Sequence, residues 1–133
     1  MNRAYPTILL ELLATGLGVA AGGQPTTRPG GFSELHRVEV GGANDLEVVM
    51  GLIRRTAGSV GAKHYHPGGE FGFILEGSVT VETESEPPVT LKAGDSFYQP
   101  PGEWHVVSTD TEGAQTLVFR VLEKGQAMIV AVD

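Results

Sequence analysis

Between Leu46 and Leu122 the chain is a succession of short strand-like runs, each closed by glycine or proline. That spacing constrains the fold more than any other feature, because regularly spaced short strands with Gly/Pro turns build a sandwich or a barrel. Leu46–Arg54 is apolar enough for a buried strand. Phe73–Leu75 and Ser78–Thr83 flank a turn at Glu76-Gly77. In the second run Val79, Val81 and Thr83 fall on one side and Thr80, Glu82 and Glu84 on the other, the period of two of a half-buried strand. A hairpin tip at Glu86-Pro87-Pro88 precedes Val89 and Leu91, where the alternation restarts, and Lys92-Ala93-Gly94-Asp95 is a further turn. Ser96–Gln99 is closed by Pro100-Pro101-Gly102, Trp104–Ser108 follows, and Thr116–Leu122 places Leu117, Phe119 and Val121 on one face. Nineteen glycines and eight prolines, with the Val and Thr usage, point the same way: an all-β chain.

The 133 residues suit a single domain, long enough to bury a core without disulfides. There is no cysteine, which excludes disulfide staples, thiolate metal sites and a cysteine nucleophile. Any metal site must therefore use His, Asp or Glu. The formal net charge of −7 argues against nucleic acid, whose phosphates need a basic face, and against an anionic membrane surface. Glu82, Glu84 and Glu86 read as a solvated strand edge that discourages edge-to-edge pairing.

The N-terminus has a different composition. Arg3 precedes an apolar run from Ile8 to Ala21 that ends in small residues, the layout of a secretory signal peptide, although Glu11 interrupts it. An N-terminal helix packed on the barrel or on a partner subunit is the alternative. The run is too short and too interrupted for stable membrane insertion. The expected division is an apolar segment or signal at 1–21, an arm at 22–45, a barrel at 46–125 and a tail at 126–133. A periplasmic or secreted location follows from the first segment, with the cytoplasm as the alternative.

The chain has four histidines, and two of them stand one residue apart in Gly58-Ser-Val-Gly-Ala-Lys-His64-Tyr-His66-Pro-Gly-Gly-Glu70. On a strand, residues i and i+2 point to the same side, so His64 and His66 project together while Tyr65 points away. Pro67-Gly68-Gly69 can reverse the chain and return the carboxylate of Glu70 toward the imidazoles. Downstream, His105 follows a Pro/Gly turn and opens a strand, leaving only His36 outside these segments. Imidazoles with one carboxylate suit a single divalent transition metal: Fe, Mn, Ni, Zn or Cu.

The two segments resemble the paired motifs of the cupin superfamily. The first matches as Gly58, five residues, His64-x-His66, three residues, Glu70, six residues, Gly77. The second matches as Gly94, five residues, Pro100-x-Gly102, two residues, His105, with Thr109 where the family usually has Asn. The run from Phe71 to Gln99 and the Glu-Lys-Gly at 123–125 look most like the small single-domain bacterial cupins. The resemblance implies a double-stranded β-helix, a jelly-roll barrel, with a metal in its mouth held by His64, His66, Glu70 and His105.

On that expectation the protein is a small metal-dependent enzyme, a dioxygenase, a cyclase/isomerase or a lyase, acting on a small oxygenated molecule in the barrel mouth. The alternative is a non-catalytic binding or sensor barrel with a bound metal. Phe71, Phe73, Phe97, Trp104 and Met50 are candidates to line the mouth, and Tyr98 and Glu103 are candidate proton donors or acceptors. Imidazole binds a metal only when neutral, so occupancy is expected to fall below about pH 6. A homodimer is expected, with residues 24–45 as an arm exchanged between subunits, and no nucleic-acid partner.

Overall fold

The computed structural model describes residues 30–42 and 45–133. The expected signal or apolar segment at 1–21, and the first part of the arm, lie outside the described residues. Ten strands follow in order: β1 (Gly31–Glu39), β2 (Leu46–Arg55), β3 (His64–Tyr65), β4 (Gly69–Glu76), β5 (Ser78–Thr83), β6 (Val89–Lys92), β7 (Ser96–Gln99), β8 (His105–Ser108), β9 (Ala114–Glu123) and β10 (Val130–Ala131). Among the described residues no helix is long and apolar enough to cross a membrane.

The strands form two five-stranded sheets, ordered β1-β2-β9-β4-β7 and β10-β3-β8-β5-β6, with every pairing antiparallel. This is the jelly-roll solution to the edge problem: apart from the β1–β2 and β5–β6 hairpins every connection crosses from one sheet to the other, and each sheet hides one face against the other. The first and last strands among the described residues both join the barrel. β1 lies within the expected arm yet pairs along its length with β2, and β10 within the expected tail pairs with β3.

Two glycines show why these turns need no side chain. Gly77, between β4 and β5, has φ +71°, and a Cβ there would fall on the carbonyl of Gly113. Gly102 has φ +78°, and its N–H donates to the carbonyl of His66 at 2.9 Å, tying the turn before β8 to the segment after β3.

Ile74, Val79, Val81 and Ala114 form the buried core, with Leu91, Phe97 and Val107 packed against them. Fully burying a side chain such as Ile74 stabilises the fold by about 1.5–3 kcal/mol. Thr109, where the family pattern has Asn, ties a loop at this end. Its hydroxyl donates to the Thr56 carbonyl at 2.6 Å and accepts from the Ser59 amide at 3.1 Å.

Candidate metal centre and ligand cavity

Sheet pairing brings the two histidine segments together. His64 on β3 lies directly opposite His105 on β8. His66 follows one pleat later, held by the Gly102 amide. The imidazole centroids of His64 and His105 are 4.4 Å apart, those of His64 and His66 5.0 Å, and those of His66 and His105 5.1 Å. One nitrogen from each ring falls within 4.8 Å of the other two.

Backbone carbonyls orient two of the rings. His66 donates its Nδ1–H to the Met128 carbonyl at 2.6 Å, and His64 donates its Nδ1–H to the Ala62 carbonyl at 2.7 Å. Each bond fixes the tautomer that leaves Nε2 with a lone pair. His66 and His105 are 1 % and 4 % exposed, and His66 Nε2 and His105 Nδ1 have no hydrogen-bond partner among the described residues. Burial pushes the pKa of both down to about 4, aided at His105 by the neighbouring histidines. Both are therefore neutral at pH 7, the form that binds a metal. At these two residues burial places protonation nearer pH 4 than pH 6.

Glu70 on β4 stands beside the histidines. Its Oε2 is 3.4 Å from His66 Nε2, and the same oxygen accepts from Nε of Arg120. The structure thus gathers three histidines into one cluster and holds Glu70 next to it, engaged by an arginine. Buried, unpartnered imidazole nitrogens are rare unless a ligand satisfies them. Two such rings, with His64 beside them and an adjacent carboxylate, fit a divalent transition metal.

The cluster opens into a cavity of about 330 Å³, within the size range of small-molecule sites. Ile53, Val79, Val81, Phe97, Val107 and Ile129 supply its apolar wall; Arg54, Arg55, Lys63, Gln99, Thr116 and Arg120 supply its polar groups. Of the residues expected at the mouth, Phe97 lines this cavity. Phe71, Phe73 and Met50 do not. On β4 the inward positions are Glu70, Gly72 and Ile74, so Phe71 and Phe73 project from the outer face, where they are half exposed. Met50 alternates outward between buried Val49 and Gly51. Trp104 immediately precedes inward-facing His105 but is not part of the cavity lining, and its ring carries the Lys63 ammonium 4.3 Å from the centroid.

Neither candidate proton-transfer residue faces the cavity. Tyr98 is exposed on the outer face, its ring 4.8 Å from that of Phe71. The Glu103 carboxylate accepts from the Gln99 amide at 3.1 Å and from the Ser85 hydroxyl. The cavity residues not anticipated from sequence are chiefly the arginines. Thr116, Val118, Arg120 and Leu122 form the inward set of β9, whereas the apolar set Leu117, Phe119 and Val121 faces outward. The available signal was the alternation itself, which leaves the choice of face open because both sets hold apolar residues.

Residues 51–122 match the family model of the Cupin domain. Among solved structures, the chain is similar to the DMSP lyase DddQ from Ruegeria pomeroyi DSS-3, with 26% identity and a TM-score of 0.66 over 84% of this chain and 56% of that one. It is similar to an RmlC-like cupin family protein with a double-stranded β-helix fold from Methanocaldococcus jannaschii, with 17% identity and a TM-score of 0.61 over 77% and 88% of the two chains. It also resembles the oxalate decarboxylase of Bacillus subtilis, a protein with Mn(II) centres, at 22% identity and a TM-score of 0.58, covering 64% of this chain and 24% of that one. The chain therefore spans little more than half the length of the lyase it matches. Comparison with curated proteins gives no match.

Proposed function

The chain belongs to the cupin family, and on that premise we propose that it is a metal-dependent enzyme acting on a small oxygenated organic molecule in the barrel cavity, with lyase chemistry as the leading reaction. The observation that carries this reading is the set of buried imidazole nitrogens without partners at the wall of a ligand-sized cavity. His64, His66 and His105 would hold the ion, with Glu70 positioned as a fourth donor. A divalent ion held there would supply Lewis-acid chemistry toward a substrate oxygen.

The chain's own groups do the rest. The carbonyls of Met128 and Ala62 hold two imidazoles in the binding tautomer. Arg120 fixes the carboxylate of Glu70, and the apolar wall displaces bulk water from the reacting end. Lyase chemistry is favoured over dioxygenase or cyclase/isomerase chemistry by the likeness to the DMSP lyase, which extends over most of this chain.

A second reading has its own support. Tyr98 and Glu103 lie outside the cavity lining, and Glu70 is tied to Arg120, so the cavity offers few groups free to carry a proton. A binding or sensor barrel that uses the metal as a ligand anchor needs none.

The test is metal content by elemental analysis of untagged protein, with His105→Ala beside it. About one ion per chain, lost in the variant, supports the site; iron directs the search to O₂ chemistry, and zinc, nickel or manganese to lyase, isomerase or cyclase chemistry. No metal after reconstitution with Fe(II), Mn(II), Ni(II) and Zn(II) sinks the metalloenzyme reading.

We also propose that the protein is a homodimer through the outer face of the first sheet. The pairings align His36, Met50, Phe119, Phe71 and Tyr98 in one row across all five strands. Phe73 and Leu75 extend the exposed apolar surface. A face of this kind on a soluble barrel marks an interaction site, and a two-fold partner is the commonest occupant. Sedimentation of wild type against Phe71→Glu tests it: the wild type should be dimeric and the variant monomeric, and a monomeric wild type overturns the proposal.

A further inference from the structure

The charge of the cavity opposes that of the chain. The sequence has nine Lys and Arg against sixteen Asp and Glu. Of these, Arg54, Arg55, Lys63 and Arg120 line the cavity, and Glu70 is the one acid among the described lining residues. Two of these, Arg55 and Arg120, take inward positions on β2 and β9, whereas the Lys63 ammonium sits over the Trp104 ring.

Glu70 accounts for only part of this. Nε of Arg120 donates to Glu70, which neutralises that carboxylate. The Arg120 side chain is 3 % exposed, yet its Nη1 is buried with no partner among the described residues. An unmade hydrogen bond on a buried charged group costs more than the roughly 1–3 kcal/mol of a neutral one. The guanidinium also lies 4.9 Å from the Phe32 ring centroid, on the side of the cavity that β1 covers, so its orientation is fixed by packing as well as by Glu70. Arg55, on the neighbouring strand β2, adds a second guanidinium to the same cavity and makes no ion pair among the described residues. If Glu70 were the reason for the positive charge, one arginine would suffice.

We propose that Arg120 and Arg55 form an anchor for the carboxylate of a small organic acid whose other end reaches the histidine cluster. Guanidinium groups suit planar carboxylates because their N–H donors form a rigid fork. The wall of Ile53, Val79, Val81, Phe97, Val107 and Ile129 favours a ligand with a short carbon chain over inorganic phosphate. This inference rests on the reading of the cavity as the ligand site, and holds with or without an ion on the histidines.

The test is calorimetric titration of the full chain with butanoate and with its neutral isostere butanamide, after chelation so that no metal contributes. Wild type should bind butanoate at least tenfold more tightly than butanamide. Arg55→Gln, which removes one guanidinium without unpairing Glu70, should erase most of that preference while leaving the thermal midpoint and the metal content on reconstitution unchanged. Arg120→Lys, which can still pair with Glu70 but loses the fork, should also weaken butanoate. Equal affinity for acid and amide, or an Arg55→Gln protein indistinguishable from wild type, overturns the anchor. Phosphate binding more tightly than butanoate overturns the carboxylate class. A protein that takes up no metal yet prefers butanoate through Arg55 supports the anchor and defeats the metalloenzyme reading; a metal-loaded protein without that preference does the reverse.

Discussion

Replacing Arg120 by Met should destabilise the metal-free barrel severely, and a divalent metal should restore much of the loss. Arg120 and Glu70 are buried partners, their side chains 3 % and 4 % exposed. Removing one member of such a pair strands the other charge and costs about 3–5 kcal/mol. Total stability for a domain of this kind is only about 5–15 kcal/mol. At roughly 4 °C per kcal/mol, the thermal midpoint should fall by about 12–20 °C. Glu70→Gln should cost a similar amount. The double variant should cost far less than the sum, because the second change removes the stranded charge rather than an interaction. Glu70 lies 3.4 Å from His66, so a metal on the histidines would give the stranded carboxylate a new cation. The ion should therefore raise the midpoint of Arg120→Met more than that of wild type. Differential scanning calorimetry of the four proteins, with and without Zn(II), reads all of this. A drop below about 3 °C for Arg120→Met, or strict additivity in the double variant, would refute the account of Glu70 and Arg120 as a coupled buried pair.

Three further outcomes follow from the geometry. The folded-state pKa values of about 4 at His66 and His105 lie below the unfolded value of about 6.5, so unfolding takes up protons between the two. Metal-free protein should therefore be most stable above pH 6.5 and lose stability as pH falls toward 4, with urea midpoints at pH 7 and pH 5 as the measure; equal midpoints would contradict the burial of these rings. Gly72→Ala should destabilise by about 1–3 kcal/mol, since the new Cβ would fall on the Phe97 ring and push it toward the cavity; a neutral effect in chemical denaturation would count against this packing. Thr109→Val should lose about 1–3 kcal/mol by leaving the Ser59 amide and Thr56 carbonyl unpaired, whereas Thr109→Ser should stay near wild type by the same measurement.

The turn spacing and the period of two determined the β class without any tertiary information, because both are local consequences of backbone geometry. Val79 and Val81 were readable as an inward pair in the same way, and they are core residues. The histidine triplet was also legible: i, i+2 on a strand puts His64 and His66 on one side whatever else happens. That His105 joins them was implied by its match to a known motif pair, and the structure supplies the physical basis, a single β3–β8 register that sets it opposite His64.

What the sequence could not decide was which face of a strand turns inward when both faces are partly apolar. On β9 the apolar set Leu117, Phe119 and Val121 faces outward, while Thr116, Val118, Arg120 and Leu122 turn inward. The same reversal puts Phe71 and Phe73 outside and Glu70 inside. An aromatic residue at an alternating position carries no information about face until the neighbouring strand's register is known. The arginines follow the same rule. Arg55 and Arg120 lie 65 positions apart in the sequence and stand opposite Ala114 and Val49 in the β2–β9 pairing; they share a cavity because both take inward positions of one sheet. Local spacing determined the strands and two of the three clustered histidines; the charge that shares the cavity with them is a property of strand order, which only closure of the two sheets decided.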